Sequence, residues 1–273
     1  MTRLAMAPAL HIDDVAYFDR LREVEADHWW SAGMWRIASH WLDRWLRGRS
    51  ALAALDVGCG AAGTLGRLSA RAEIATVVGL DPSPYALAHA RREDVVLGSA
   101  LNLPFPDASF DVTTSFDVLQ HLPPGGDRVA AAEMLRVLRP GGLCVIRANG
   151  RGLWPDPQSE SRPYRLGELR ELMRSVGFRV RAATYANCLP AVAVEVAGRL
   201  RRELGMTPSH LRHPSGGGLR IRPASPVRNR LMGAISGAEA MAVGRLRIVL
   251  PVGHSTMLML EKRSVAPSSG GHR

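Results

Sequence analysis

Lysine is almost missing from this chain. Of its 35 basic residues in 273, only Lys262 is a lysine; the others are arginines, and the formal net charge is +10. Beside abundant alanine, that bias reads as GC-rich coding rather than as a selected basic patch, and net charge alone says little about a site. Cysteine is scarce as well. Cys59, Cys144 and Cys188 lie far apart with no CxxC pair, which excludes a disulfide framework and a cysteine zinc site. Long apolar runs are absent too. Cys188 to Gly198 is too short to span a bilayer and contains Glu195. Leu4 to Leu10 is broken by Pro8 and lacks the apolar stretch of a secretion signal. These absences lead to the expectation of a soluble, cytoplasmic protein with no metal. The 46% apolar content is enough for a real core.

Aromatic residues make up only 5% of the chain and are unevenly spread. Five of the six tryptophans (Trp29, Trp30, Trp35, Trp41 and Trp45) fall inside an amphipathic stretch, residues 11 to 47, that reads as a helical arm. Trp29 and Trp30 are adjacent, so one helix cannot turn both toward the same core; Trp30 is a candidate to face a ligand. From Ala51 the pattern changes to short apolar runs alternating with helical stretches. Strands are expected at 51–57, 76–81, 94–98, 110–115, 143–148 and 178–185, and helices at 64–70, 83–92, 127–138 and 166–175. Arg139-Pro140-Gly141-Gly142 reads as a turn. Such alternation implies a doubly wound, mostly parallel sheet. Residues 188–250 leave that rhythm, with a helix at 191–204, a Gly-, Pro- and Arg-rich loop at 205–230 and another helix at 234–246. A last strand is expected at 254–261. The organisation is therefore an arm at 1–50, an α/β core at 51–187, an insertion forming a lid at 188–250, a final core strand within 251–263 and a frayed tail at 264–273.

The most informative stretch is Leu55-Asp56-Val57-Gly58-Cys59-Gly60-Ala61-Ala62-Gly63. An apolar strand ends in an acid, a glycine-rich turn follows, and a helix begins at once, so that free backbone N–H groups point at whatever rests on the turn. Gly58, Gly60 and Gly63 satisfy the G-x-G-x-x-G dinucleotide fingerprint, but Asp56 just before the turn speaks against it. Asp81 lies about 20 residues further on, where a ribose-binding carboxylate is expected; Pro82 after it also suits a helix first turn.

Further downstream, in order, come Gly98-Ser99-Ala100-Leu101-Asn102-Leu103-Pro104-Phe105, Ser109-Phe110-Asp111, Asp117-Val118-Leu119-Gln120-His121, and Leu138-Arg139-Pro140-Gly141-Gly142. With the glycine turn, this series resembles the class I S-adenosylmethionine (SAM)-dependent methyltransferases, in the branch that includes quinone and many small-molecule enzymes, over about residues 52 to 148. A looser likeness to a bacterial subgroup rests on His28-Trp29-Trp30 with Arg36, on Arg162-Pro163-Tyr164, and on Pro251-Val252-Gly253-His254-Ser255. The resemblance implies a seven-stranded Rossmann-like fold with SAM as cofactor. Gly58, Cys59, Gly60, Ala61 and Gly63 would lie against the methionine part, with Asp56 near its amino group. Asp81 would hold the ribose, Pro82 and Ser83 would flank the adenine, and Ala100 and Leu101 would cover it. Phe116 and Asp117 would sit at the sulfonium end, and Arg36 would meet the SAM carboxylate or a substrate anion. Ser99 departs from the family's usual Asp, which implies weaker adenine recognition.

His121, just past the fourth strand, is the candidate general base, with an unperturbed pKa suited to that work. Trp30, Tyr164, Arg162, Asn149 and Tyr17, with Asn187, are candidates for the acceptor pocket, while Glu133, Arg136 and Arg139 read as a solvated helix face. The expected activity is methyl transfer to O, N or C of a small, aromatic or apolar metabolite, such as a secondary metabolite, by a monomer or homodimer. RNA or protein methylation is an alternative. Arg199 to Arg230 holds eight arginines against Glu203, but it has no aromatics for base stacking, so nucleic acid is not the expected partner. A non-methylating, SAM-binding cyclase on the same fold is another alternative, and peripheral contact with a membrane stays open.

Overall fold

The computed structural model describes residues 28–86, 94–151, 162–189 and 225–264, together with Leu21, Arg22, Glu25 and positions 192, 196, 200, 203 and 204. In chain order the elements are α1 (Trp29–Leu46), β1 (Leu52–Val57), α2 (Gly63–Ser69), β2 (Ile74–Asp81), β3 (Val95–Leu97), β4 (Phe110–Phe116), a 3-10 turn (Leu119–His121), α3 (Gly126–Val137), β5 (Leu138–Asn149), α4 (Leu166–Val176), β6 (Phe178–Ala186), α5 (Pro226–Gly244) and β7 (Ser255–Lys262).

The strands form one seven-stranded sheet in the order β3-β2-β1-β4-β5-β7-β6. β1 through β5 pair in parallel, and β7 runs antiparallel between β5 and β6. The chain leaves β1 in one direction toward β3, then returns to place β4 on its other side. That reversal opens a crevice at the carboxyl ends of β1 and β4, where open α/β sheets bind ligands.

Both faces of the sheet are covered, so its central strands are buried along nearly their whole length instead of on alternate residues. On one face α1, α2 and α5 bury Met34, Ile37, Trp41, Leu65 and Val243 against Val112, Val145 and Met257. On the other, α3 and α4 bury Met134, Leu169 and Met173 against Leu55, Ile146 and Leu258.

Three expectations are corrected. The Arg-Pro-Gly-Gly segment is not a turn before β5 but a bulge within it. Pairing passes from Phe110–Leu138 directly to Val112–Leu143, and Gly141 takes up the extra chain at φ +77°. The loop expected to reach residue 230 ends sooner, because Ser225 caps α5 through the Arg228 N–H and Pro226 fills its first position. Nor are Glu133 and Arg136 a solvated face, and Arg139, though exposed, lies in β5 and not on the helix. Glu133 accepts the Leu103 N–H at 2.7 Å, and Arg136 donates to the carbonyls of Leu103 and Phe105 and to Asp107, while Arg139 pairs with Asp111. Together they tie the loop before β4 to α3 and β5. Most of the helix expected at 191–204, the end of that at 83–92 and the first twenty residues lie outside the described residues.

α1 and α5 pack along a seam of small residues. A Cβ on Gly33 would come within 2.6 Å of the Ser236 Cβ, and one on Gly244 within 2.5 Å of His40. The Arg44 guanidinium closes the far end by donating to the Gly244 carbonyl at 3.0 Å. Gly33→Val is therefore expected to force the two helices apart and cost about 1–3 kcal/mol, as overpacking does; a urea midpoint equal to that of the parent chain would contradict this packing.

Candidate active site

The glycine turn follows β1 directly. Gly58 and Gly60 adopt φ of +77° and +51°, a region that side chains strongly disfavour. At Gly58 space is also short, since a Cβ would lie 2.2 Å from Cγ2 of Val118. β2 fastens the turn from beneath. The N–H groups of Gly58 and Cys59 both donate to the Leu80 carbonyl, at 2.7 and 3.0 Å. The Gly60 N–H donates to Oδ2 of Asp81 at 2.9 Å, and the Ser83 N–H to Oδ1 at 2.9 Å. A carboxylate offers about four acceptor sites, so each oxygen of Asp81 keeps one for a ligand. The neighbouring Ser83 Oγ is buried and has no hydrogen-bond partner. Beside β3, Ala100 is buried and Leu101 half-buried, while Ser99 is exposed and its hydroxyl accepts the Leu101 N–H at 3.2 Å.

Acidic groups gather around this turn. Asp56 is buried and accepts the Thr114 hydroxyl at 2.6 Å. Burial pushes its carboxyl up to about 7, against the help of that bond. Glu25, from the arm, accepts the Gly63 N–H at 3.1 Å, and burial lifts it to about 7 as well. Leu21 reaches the same turn, lying 3.0 Å from where a Cβ on Gly60 would stand. Burial also raises Asp81. Burial and then Asp56 push the Cys59 thiol upward, which makes it a packing group and not a nucleophile.

Arg147 answers these acids. It rises from β5 on the α1 side, and its guanidinium pairs with the carboxylate of Asp117, whose own N–H donates to the Arg147 carbonyl at 3.0 Å. Burial lowers it to about 9, while Glu25 and Asp56 favour its charge. It lies 4.4 Å from the Trp30 ring and 5.4 Å from that of Phe116, a stacked arrangement that suits a desolvated guanidinium. The crevice thus has an acidic floor and an aromatic wall joined by one arginine.

Sequence reasoning placed Asp56, Gly58, Cys59, Gly60, Ala61, Gly63, Asp81, Pro82, Ser83, Ser99, Ala100, Leu101, Phe116 and Asp117 on the turn and on the strand ends around it, and the structure puts them there. His121 lies in the 3-10 turn that follows β4; burial lowers its pKa, which favours the neutral imidazole.

Other candidates go elsewhere. Arg36 is exposed and donates to the Gly233 carbonyl at 3.0 Å, committed to α5 instead of the glycine turn. The Tyr164 hydroxyl is buried and donates to Leu119 O and Asp127, and Arg162 pairs with the same Asp127 carboxylate. Tyr164 and Arg162 therefore latch the chain before α4 onto α3 and the 3-10 turn, because a buried phenol needs partners. Asn149 ends β5, and its carbonyl accepts the Tyr164 N–H. Asn187 is buried after β6, where Glu239 of α5 takes its N–H. Tyr17 lies outside the described residues. Glu25 and Arg147 were not anticipated. Arg147 had a readable signal, as a lone charge inside the run Leu143-Cys144-Val145-Ile146-Arg147-Ala148; Glu25 had none.

Residues 55–146 match the model of the methyltransferase domain family Methyltransf_11. Over those matched residues the chain is a methyltransferase domain of the SAM-dependent kind. A probable S-adenosylmethionine-dependent methyltransferase of Mycolicibacterium smegmatis is 36% identical over 114 residues, which are 38% of this chain and 44% of that protein. The fatty-acid O-methyltransferase of the same organism is 39% identical over 158 residues, covering 55% of this chain and 56% of its own. The chain thus spans about half or less of the length of these curated relatives. A solved SAM-dependent methyltransferase from Archaeoglobus fulgidus shares the fold, with a TM-score of 0.52 at 14% identity over 85% of this chain and 95% of that one.

Asp56 and Glu25, both raised to about 7, make a pH prediction. Below about pH 4 they are protonated folded or unfolded. Between about 4 and 7 the unfolded chain ionises them while the folded chain still holds the protons, so the ligand-free protein loses stability as pH rises through that window. Asp56→Asn keeps the Thr114 contact and is expected to remove roughly 2–4 kcal/mol of this decline, read from urea midpoints near the two ends of the window. An unchanged slope would contradict a protonated, buried Asp56.

Proposed function

We propose that this protein transfers a methyl group from SAM to a small apolar or aromatic acceptor. One observation carries the reading: three carboxyl groups, Glu25, Asp56 and Asp81, surround a glycine turn fastened at the crevice. A dinucleotide places an anionic pyrophosphate on such a turn, which three acids would repel. SAM is cationic at both its ammonium and its sulfonium, and these acids answer it.

The residues fit the adenosyl group on structural grounds as well. Asp81 keeps free lone pairs for two ribose hydroxyls, and the unpartnered Ser83 Oγ lies beside it. Ala100 and Leu101 supply the apolar cover for the adenine, and Asp56 and Glu25 receive the ammonium. SAM itself supplies an activated methyl group that moves by in-line displacement. The chain contributes position: holding reactants in line is worth on the order of 7–11 kcal/mol. The wall of Trp30 and Phe116 selects an apolar or aromatic acceptor, and the likeness to a fatty-acid O-methyltransferase supports that class. A tailoring step on a secondary metabolite is consistent with such a site.

For a hydroxyl acceptor a base is needed, and His121, whose burial favours the neutral imidazole, takes the proton at a ring nitrogen. His121→Ala is expected to lower kcat about 10²-fold or more with KM for SAM unchanged; full activity toward a hydroxyl acceptor would remove His121 from the chemistry.

Titration calorimetry tests the cofactor. SAM is expected to bind and NADH to show no heat. Asp81→Ala is expected to weaken SAM by about tenfold or more, and Ser99→Asp to tighten it about fivefold, since a charged acceptor outbids a hydroxyl. NADH binding to a folded protein that ignores SAM would overturn the assignment.

A further inference from the structure

The outer face of α5 has no function in the site just described, and its composition is unusual. Val227, Leu231, Ala234, Ala238 and Met241 recur at the spacing of one helical face, and all are exposed, Val227 at 78% and Leu231 at 62%. The chain continues the same surface beyond the helix, where Leu246, Ile248 and Val249 are exposed in turn, Leu246 at 68%. The opposite face of α5, with Ser236, Ala240 and Val243, is already buried against α1.

Among the described residues, every exposed charge from Ser225 to Leu250 is positive. Arg228, Arg230, Arg245 and Arg247 frame the apolar stripe. Glu239 is the one acid in residues 226–250, and it is turned inward, accepting the N–H groups of Asn187 and Cys188. Residues 199–224, just before α5, add six more arginines against Glu203.

We propose that this face docks the protein on an anionic lipid bilayer. Aliphatic side chains in a row, rimmed by guanidinium groups that can reach headgroup phosphates, are the makings of an interfacial helix. The charge pattern favours this occupant over others. A second copy pairing through the same stripe would set arginines against arginines with no carboxylate between them. RNA would meet phosphate-binding charge but no aromatic residue on α5 or its own flanks, because residues 188–250 contain no Phe, Tyr or Trp.

The docking stands independently of the methyl-transfer reading, but the two would cooperate. Asn229, in the first turn of α5, accepts the Trp29 N–H at 2.8 Å, and the next residue, Trp30, faces Arg147 in the crevice. A bilayer against α5 would therefore lie beside the aromatic wall, where an apolar acceptor could pass to the site without crossing water.

Flotation of the whole chain with vesicles tests the proposal. Vesicles of phosphatidylglycerol and phosphatidylcholine are expected to carry the protein, vesicles of phosphatidylcholine alone to leave it behind, and high salt to release it. Val227→Ser with Leu231→Ser is expected to weaken partitioning about tenfold or more, and Arg245→Gln with Arg247→Gln several-fold. All four side chains are exposed, and the salt titration needs no variant at all. Failure of the parent chain to float with anionic vesicles overturns the proposal. So does undiminished flotation of the apolar double variant, or a dimer in light scattering that the same variant returns to monomer, or retention on single-stranded RNA without vesicle binding. SAM calorimetry on the same samples keeps the two readings apart: lost flotation with intact SAM binding counts against docking alone.

Discussion

The attachment of the glycine turn to the end of β2 is the constraint from which the rest of the site follows. Two consecutive N–H groups share the Leu80 carbonyl, and a third donates to the Asp81 carboxylate. Because β1 and β2 are paired in parallel from Leu52 to Val57, the turn cannot shift without breaking the sheet. Its left-handed glycines then direct the chain over β1 and into α2, and Val118 closes on Gly58 from the segment after β4. Three strand ends are held together by a few short contacts, so the shape of the turn is set by the protein itself. Such preorganisation is what a displacement reaction needs from a protein.

Charge decides what that crevice accepts. Buried carboxyl groups are costly unless something answers them. Here burial raises Asp56 and Glu25 to about 7 in the ligand-free protein, and among the described residues Arg147, shared with Asp117, and Arg67 beside Glu25 offer nearby positive charge. A cationic cofactor relieves this arrangement and an anionic one aggravates it. The literal G-x-G-x-x-G spacing is common to both chemistries; the acids separate them. Glu25 and Leu21 resting on the turn also give the arm a physical reason to belong to the site, because they contact Gly63 and Gly60 directly.

The sheet and the cradle were legible in the sequence because they depend on short-range rules. Apolar runs ending in acid, glycines where φ turns positive, and Gly177 closing α4 at φ +119° are local signals. The misreadings arose where a distant partner decides the outcome. Arg139 to Gly142 looks like a turn, yet the pairing of Leu138 and Leu143 with β4 on either side keeps it in the sheet as a bulge. Arg36 looks like an anion ligand until α5 offers it the Gly233 carbonyl, nearly 200 residues away. Arg162 and Tyr164 are drawn aside by Asp127 in the same manner. Glu25 was invisible because only the fold brings the arm back to Gly63. The early start of α5 could have been read, since Ser225-Pro226 is an ordinary helix opening, but the surrounding glycines and prolines masked it.

The most direct test of the central claim is a co-crystal structure with S-adenosylhomocysteine. The account predicts the ribose hydroxyls on the Asp81 carboxylate, the amino group among Glu25 and Asp56, and the backbone from Gly58 to Gly63 unmoved. A ligand seated away from Asp81, or a turn that must rebuild itself to admit one, would contradict it.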